Sequence, residues 1–476
     1  MNRLLFCTLL TCGTIASAQL TPGAQDRTKT DQEARAIFKQ LVEINTTESS
    51  GNVTKAAEAM AIRLRDAGFP DKDVIVAGPD ERKKNLVVRF RGTGQRPPIL
   101  FIGHLDVVEA RREDWSMDPF QFIEQDGDFY GRGTRDMKAG DAILVMSFLC
   151  LKREGYQPDR DLIVALTSDE EAGDFNGVDW LLKEHKDWID AEYCINLDGG
   201  EFERLKGERV LAGLQASEKV YEDYQFETTN PGGHSSVPGL DNAIYELSAA
   251  LGRLQGFTFP IKINEITRDY FLQSAGFTSG PIAADLRGAA QEPPNPTAIQ
   301  HLSAIPYYNA LLRTTCVATM LSGGHAANAL PQSARATVNC RIFPGEDPEE
   351  IRKTLQRVVA DPNVKVTPIA EKTADGKLIP IAAVPPSALL PELTNALKRT
   401  LSTMWSGMQV VPTMSTGATD GKYLRSAGIP TFGIACMFFD MEDDRSHGKD
   451  ERVGVQDFYD GVEFGYRFMK SLSSNQ

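Results

Sequence analysis

The sequence predicts an α/β protein: a mostly parallel sheet with helices on both faces, interrupted by an inserted α+β domain. Three observations lead there. Short apolar runs such as Leu86–Phe90, Ile99–Ile102 and 161–167 alternate with segments of helical periodicity, the pattern of parallel strands joined by crossover helices. After about residue 216 the pattern changes to long segments that alternate apolar and polar residues, beginning with "KVYEDYQFETT" (219–229). From about residue 386 the first pattern resumes. The expected division is a leader at 1–18, a core domain built from 19–216 and 372–476, and an inserted domain at 217–371.

The elements follow in order. Residues 19–29 read as a polar linker. Thr30 and Glu33 form a capping-box pair, ahead of Ala34, Ile37, Phe38, Leu41 and Val42 at helical spacing. A second helix is expected over 53–68, then strands at Asp73–Val76, Leu86–Phe90 and Ile99–Ile102. A helix over 138–153, the strand 161–167, a helix over 177–185 and a strand at 193–197 complete the first part. In the inserted domain the pattern predicts the strand 219–229, a helix from Asn242 to Leu254, the strand 334–343, a helix over 347–359 and a strand near 363–368. Residues 256–320, which contain "QEPPNPT", show no clear period and read as an elaboration of the inserted domain.

Composition narrows the class. The chain has 476 residues, 41% hydrophobic and 24% charged, with a net charge of −14, so a real core is expected and general binding to nucleic acid or anionic membranes is disfavoured. Arg3, the apolar stretch Leu4–Ile15 and Ala16-Ser17-Ala18 read as a secretory leader cleaved after Ala18. Export, periplasmic or secreted, follows. A lipid anchor on Cys12 is the weaker option, because Thr11 is a poor residue before a lipidated cysteine. No later apolar run reaches 18 residues. Of seven cysteines, five would remain after cleavage. Their spacing fits no zinc ribbon, and one disulfide with an odd thiol left over is the most they suggest.

In open α/β sheets, sites form beyond the carboxyl ends of the strands. His104 and Asp106 follow "PILFIG". Asp136 follows "GRGTR", Glu170 and Glu171 follow "LIVALTSD", Asp198 follows "YCINL", and His447 lies in the loop after "TFGIACMFF". Taken singly, each has a bland explanation: a turn, a helix cap, a solvated helix start. Together they do not, since five strand ends in succession deliver His, Asp or Glu and the chain has only 6 histidines. Two imidazoles with several carboxylates suit a pair of borderline divalent cations. Such cations, about 3.5–4 Å apart, share a bridging carboxylate. A further carboxylate, free of metal, can accept a proton. Glu170 and Glu171 are neighbours and point differently, so one can bind metal while the other acts as the base. Metal charge would relieve their repulsion.

"GHLDVV" (103–108), "WSMDPF" (115–120), "GRGTRDMKAG" (131–140) and "SDEEAG" (168–173) resemble the di-zinc exopeptidase and aminoacylase family. "GGHSS" (232–236), "NALPQSARATVNCRIFPGED" (328–347), "GATDGKYL" (417–424) and "HGKDERV" (447–453) resemble its later blocks. That family includes glutamate carboxypeptidase, dipeptidases, aminoacylase, acetylornithine deacetylase and succinyl-diaminopimelate desuccinylase.

The resemblance implies a zinc-exopeptidase-like catalytic domain with an inserted lid and dimerisation domain, and two Zn²⁺ per chain, with Co²⁺ or Mn²⁺ as substitutes. It implies that His104, Asp136 and Asp198 hold one metal and that Asp136, Glu171 and His447 hold the other. Asp106 would hydrogen-bond the second ring nitrogen of His104, and Glu170 would be the general base. A cis peptide is expected at Asp136–Met137. His234 would reach a dimer partner's site and stabilise the oxyanion, Asn328 and Arg341 would grip a substrate carboxylate, and Gly417, Ala418 and Thr419 would line the cleft. Ala418 departs from the family's usual Gly-Thr-Ser, which removes a hydroxyl contact. Asp198, where several members have Glu, goes more with aminopeptidases, dipeptidases and the vacuolar-carboxypeptidase-like branch. His185 and His325 read as structural.

The expected activity is that of an exported exopeptidase, a dipeptidase or carboxypeptidase acting on small peptides with a free carboxylate. The nearest alternative is an N-acyl-amino-acid amidohydrolase, which cleaves the same bond with a different acyl side. A metal-free binding protein on the same scaffold is the remote one, and the complete ligand set argues against it.

Overall fold

A computed structural model describes residues 22–172, 175–369 and 383–474, with the side chains of 22–26 left aside. The expected leader at 1–18 and the boundary at 371/372 lie outside the described residues.

The larger sheet has ten strands. At its centre Ile99–His104 runs parallel to Leu162–Thr167 on one side and to Tyr193–Asn196 on the other. Every residue of these three strands is buried, as continuous apolar runs require when both faces are covered. Alternate side chains serve opposite faces. Phe101, Val164 and Ile195 join the core formed with the helix Lys138–Arg153 and the C-terminal helix Val455–Ser473. Leu100, Ile102, Ile163 and Cys194 face Val178, Leu181, Ile189 and Leu424. Antiparallel strands Val74–Asp80 and Lys83–Phe90 flank this centre.

A four-stranded antiparallel sheet forms a second core. Its order is Thr315–Gly323, Ser333–Ile342, Val220–Thr229, Lys365–Pro368. Val220–Thr229 alternates buried and less buried positions, so one face is covered and the other open. The helices Ala243–Gln255 and Pro348–Val359 cover it with Leu247, Ala250 and Leu254, and with Ile351, Leu355 and Val359.

Two expectations fail. The helix at the start of the described chain runs Pro22–Glu43, so residues 22–29 are helical rather than a linker, and Thr30 lies inside that helix instead of capping it. Residues 256–320 are not patternless. They form helices at Glu265–Phe277, Pro281–Ala289, Pro296–Ser303 and Pro306–Leu312, followed by the strand Thr315–Gly323. The helices also elaborate a different core from the one expected: Ile266, Phe271, Leu286, Leu302 and Leu312 pack with the larger sheet's core, not with the four-stranded sheet. Among the described residues no helix is long and apolar enough to cross a membrane.

Candidate metal centre

Strand register brings the predicted residues to one edge. His104 pairs with Thr167 at the end of the parallel ladder, so His104 and the Ser168–Glu171 turn emerge side by side. Ile102 pairs with Asn196, which puts Asp198 just beyond the same edge. Gly200, two residues on, has φ +66°, and a Cβ there would meet the Gly433 carbonyl at 1.9 Å, so only glycine lets this turn lie against the neighbouring strand.

Asp136 is the centre of the group. Its Oδ1 lies 3.0 Å from Nε2 of His104, and its Oδ2 lies 3.1 Å from Nε2 of His447. His447 Nε2 also lies 2.9 Å from Glu171 Oε1. His104, Asp136 and Glu171 each offer a ligand atom, all within 4.8 Å of one another. The His104 side chain is 2% exposed and that of His447 is 53% exposed, so the group has a closed floor and an open mouth. The Asp136–Met137 peptide is cis.

Glu451 shapes this loop, and the sequence reading gave it no role. Its buried carboxylate accepts the backbone N–H groups of Gly133, Arg135 and Asp136 at 3.0, 2.7 and 3.0 Å, and Arg132 Nη1 donates to it at 2.6 Å. The only hint was its place in "HGKDERV", four residues after His447.

Asp106 departs from expectation. His104 Nδ1 meets the Asp106 backbone carbonyl at 3.1 Å, while the Asp106 carboxylate is 3.8 Å away, too far for a hydrogen bond. That carboxylate instead accepts the N–H of Glu170 at 3.2 Å and of Glu171 at 3.0 Å. The side chain is turned to the adjacent strand's turn, where the ladder has ended and two part-buried N–H groups point at it.

Burial and crowding set the electrostatics. Burial pushes Asp106 up to about 6, against the pull of His104. Burial raises Glu170 well above the usual carboxylate range, and Asp198 and Asp420 add to this. Burial likewise raises Asp198, helped by Asp136. For Asp136 burial acts upward, but hydrogen bonds from His104 and His447 win and hold it low. Donating hydrogen bonds to the Asp136 and Glu171 carboxylates lifts His447 to about 10. Too many carboxylates share too little positive charge. One or two divalent cations would supply it and would displace the imidazole protons, so the donor set fits a metal.

The remaining predicted residues lie elsewhere. His234 sits on the short strand Gly233–His234, is exposed, and has its Nδ1 engaged by Ser236. Asn328 is also exposed and lies beside it, its carbonyl accepting the Ser235 N–H at 3.1 Å. Arg341 lies on Ser333–Ile342 with its guanidinium 4.6 Å from the Tyr221 ring centre. None of the three contacts the His104–Asp136–His447 group among the described residues. Gly417 is half-buried, its N–H donating to Ser415 Oγ at 3.0 Å. Thr419 is buried, its hydroxyl donating to Glu218 Oε2 at 2.8 Å. His185 stacks on Trp188, and His301 meets Asp285 at 3.0 Å. Cys316 and Cys340 form a disulfide across paired strands, leaving Cys150, Cys194 and Cys436 free.

The fold is an α/β sheet, and the donor set at its edge fits a metal. A family model described as peptidase family M20/M25/M40 matches residues 100–471, and the chain belongs to that family. The chain resembles "Probable carboxypeptidase S-like 2" of Dictyostelium discoideum, 28% identical over 81% of this chain and 74% of that protein. It also resembles the human N-fatty-acyl-amino acid synthase/hydrolase PM20D1, 26% identical over 80% of this chain and 75% of that one. Its fold matches the M20 family metallo-carboxypeptidase Sso-CP2 from Sulfolobus solfataricus with a TM-score of 0.68, at 14% identity, covering 92% of this chain and 99% of the other.

Proposed function

We propose that the chain is an exported, zinc-dependent exopeptidase, a dipeptidase or carboxypeptidase that hydrolyses the amide bond of small peptides ending in a free carboxylate. One observation carries this reading: the single carboxylate of Asp136 faces two imidazoles, one on each oxygen. In this reading His104, Asp136 and Asp198 hold one Zn²⁺, and Asp136, Glu171 and His447 hold a second. Bound there, the cations supply an activated water and polarise the scissile carbonyl.

The chain's own residues do the rest. Glu170, half-buried next to Glu171, takes the water's proton, then passes it to the leaving amine. Asp106 orients Glu170 and Glu171 through their backbone N–H groups. Arg341 pairs with no carboxylate among the described residues and, with Asn328, receives the substrate carboxylate. Gly417 lines the cleft. His234 stabilises the oxyanion across a homodimer. The dimer reading is supported by the strand Thr315–Gly323, whose outer edge is unpaired among the described residues and which exposes Val317, Met320 and Leu321, an edge open to a second copy. Export is supported by the leader and by the Cys316–Cys340 disulfide, which suits an oxidising compartment.

N-acyl-amino-acid hydrolysis is a second reading with its own support. A cavity of about 260 Å³ adjoins Glu171, with Val53, Val107 and Val108 in its wall. Of the five carboxylates in its lining, Glu48 and Asp169 pair with Lys83 at 2.7 and 2.8 Å, Glu109 accepts the Ser49 N–H at 2.8 Å, and Asp106 accepts the Glu170 and Glu171 N–H groups. An acyl chain would find apolar wall, and a free amine would have to compete for those acids. Zinc-loaded protein given unblocked dipeptides and their N-acylated counterparts, with release of the C-terminal amino acid measured, separates the two. Release from unblocked dipeptides supports the exopeptidase. Release only from acylated substrates replaces it with the amidohydrolase.

A further inference from the structure

The Thr419 hydroxyl sits at the meeting point of a buried network. A hydroxyl offers one donor and two acceptor positions, and all are used. Thr419 Oγ1 donates to Glu218 Oε2 at 2.8 Å and accepts from Asn196 Nδ2 at 3.0 Å and from the Gly421 N–H at 3.0 Å. Asn196 in turn accepts the Asp198 backbone N–H on Oδ1 at 3.0 Å. Its carboxamide therefore bridges Thr419 to the backbone that carries Asp198.

The other side of the hydroxyl is anchored where the chain leaves the larger sheet. Glu218 ends the strand Glu208–Glu218, and Val220 begins the four-stranded sheet. Arg425 Nη1 donates to Glu218 Oε1 at 2.6 Å, and Arg425 Nη2 donates to the Thr431 carbonyl at 2.9 Å. Ser387 joins the same knot, its N–H donating to the Ala216 carbonyl at 2.8 Å. Packing is close: a Cβ on Gly421 would lie 3.1 Å from Thr419 Oγ1 and 3.2 Å from Glu218 Oε1. Glu218 Oε2 also accepts from Gln215 Nε2 at 3.2 Å, so loss of the hydroxyl leaves Glu218 a partner but breaks its link to Asn196.

We infer that Thr419 is a positioning residue: through the Asn196 carboxamide it holds the Asp198 turn in the geometry for metal, with Glu218 as its fixed support. The inference rests on the reading of Asp198 as a ligand. The Thr419 hydroxyl is fully committed to Glu218, Asn196 and Gly421. It acts as the outer-shell partners of metal ligands do, where loss costs about 10–100-fold in metal affinity.

The test is Zn²⁺ titration against a chromophoric chelator on the whole chain, for wild type, Thr419→Ala, Thr419→Ser and Asp198→Asn, with melting of the metal-free proteins in parallel. Expected is a loss of about 10–100-fold in affinity for one Zn²⁺ in Thr419→Ala, near-normal binding in Thr419→Ser, and loss of one equivalent in Asp198→Asn. Wild-type binding by Thr419→Ala, with an equivalent lost in Asp198→Asn, overturns the inference and leaves the ligand reading intact. A defect in Thr419→Ser as large as in Thr419→Ala also overturns it, since the hydroxyl is retained. Full binding by Asp198→Asn removes the ligand reading and the inference together. Should metal-free Thr419→Ala fail to fold, Asn196→Ala breaks the same link from the other side and is judged by the same outcomes.

Discussion

Nε2 of His447 lies 2.9 Å from Oε1 of Glu171, across 276 residues of sequence. The contact joins a loop near the C-terminus to the turn after a central strand, and both groups also face Asp136 or its neighbours. Replacing His447 by Ala should therefore lower metal content rather than merely slow turnover. Elemental analysis after dialysis checks this. Retention of the wild-type metal complement would remove His447 from the ligand set.

Glu170 makes the opposite prediction. Glu170→Gln keeps the volume and should keep the metal, while kcat falls by about 10²–10⁴. Paired measurements of metal content and steady-state rate are enough. A variant that keeps its rate leaves Glu170 with no part in proton transfer.

Asp106→Ala would leave the part-buried Glu170 and Glu171 N–H groups without their acceptor. Each such loss costs about 1–3 kcal/mol, so a clear fall in chemical-denaturation midpoint is expected, with weaker metal binding. An unchanged midpoint would mean the turn finds other partners.

The Cys316–Cys340 bridge closes a loop of 24 residues' separation, for which chain entropy gives about 3 kcal/mol. Thermal melts with and without reductant should differ by several degrees. Mass mapping of the oxidised protein should find this pair bridged and Cys150, Cys194 and Cys436 alkylatable after unfolding.

Met320 and Leu321 are each 69% exposed on the end strand of the smaller sheet. On the proposed dimer, changing both to Glu should give a monomer by light scattering and, with His234 working across subunits, cut turnover while metal content stays normal. Full activity in the monomer would remove His234 from a role in trans.

Much of this molecule was legible in its sequence. The central strands are continuous apolar runs, and burial on both faces leaves no other reading of them. Asp136, Glu170 and Asp198 stand at strand ends, where only a site explains so many acids. The four helices between Glu265 and Leu312 were less visible because each is short. Their signals were nevertheless present: Asn264 and Asn295 cap two of them and Pro281, Pro296 and Pro306 open three. Thr30 and Glu33 misled because a capping box looks the same inside a longer helix as at its start.

The sequence alone determined the fold class, the residues of the candidate centre and the family, because strand periodicity and motif order are local properties of the chain. Tertiary structure decided the partnerships. That Asp106 serves two backbone N–H groups rather than an imidazole, that Glu451 braces the Asp136 loop, and that Thr419 turns inward to Glu218 depend on distances between segments up to hundreds of residues apart. A buried donor or acceptor takes whichever partner the packed strands bring within about 3 Å, and no local pattern records which one that is.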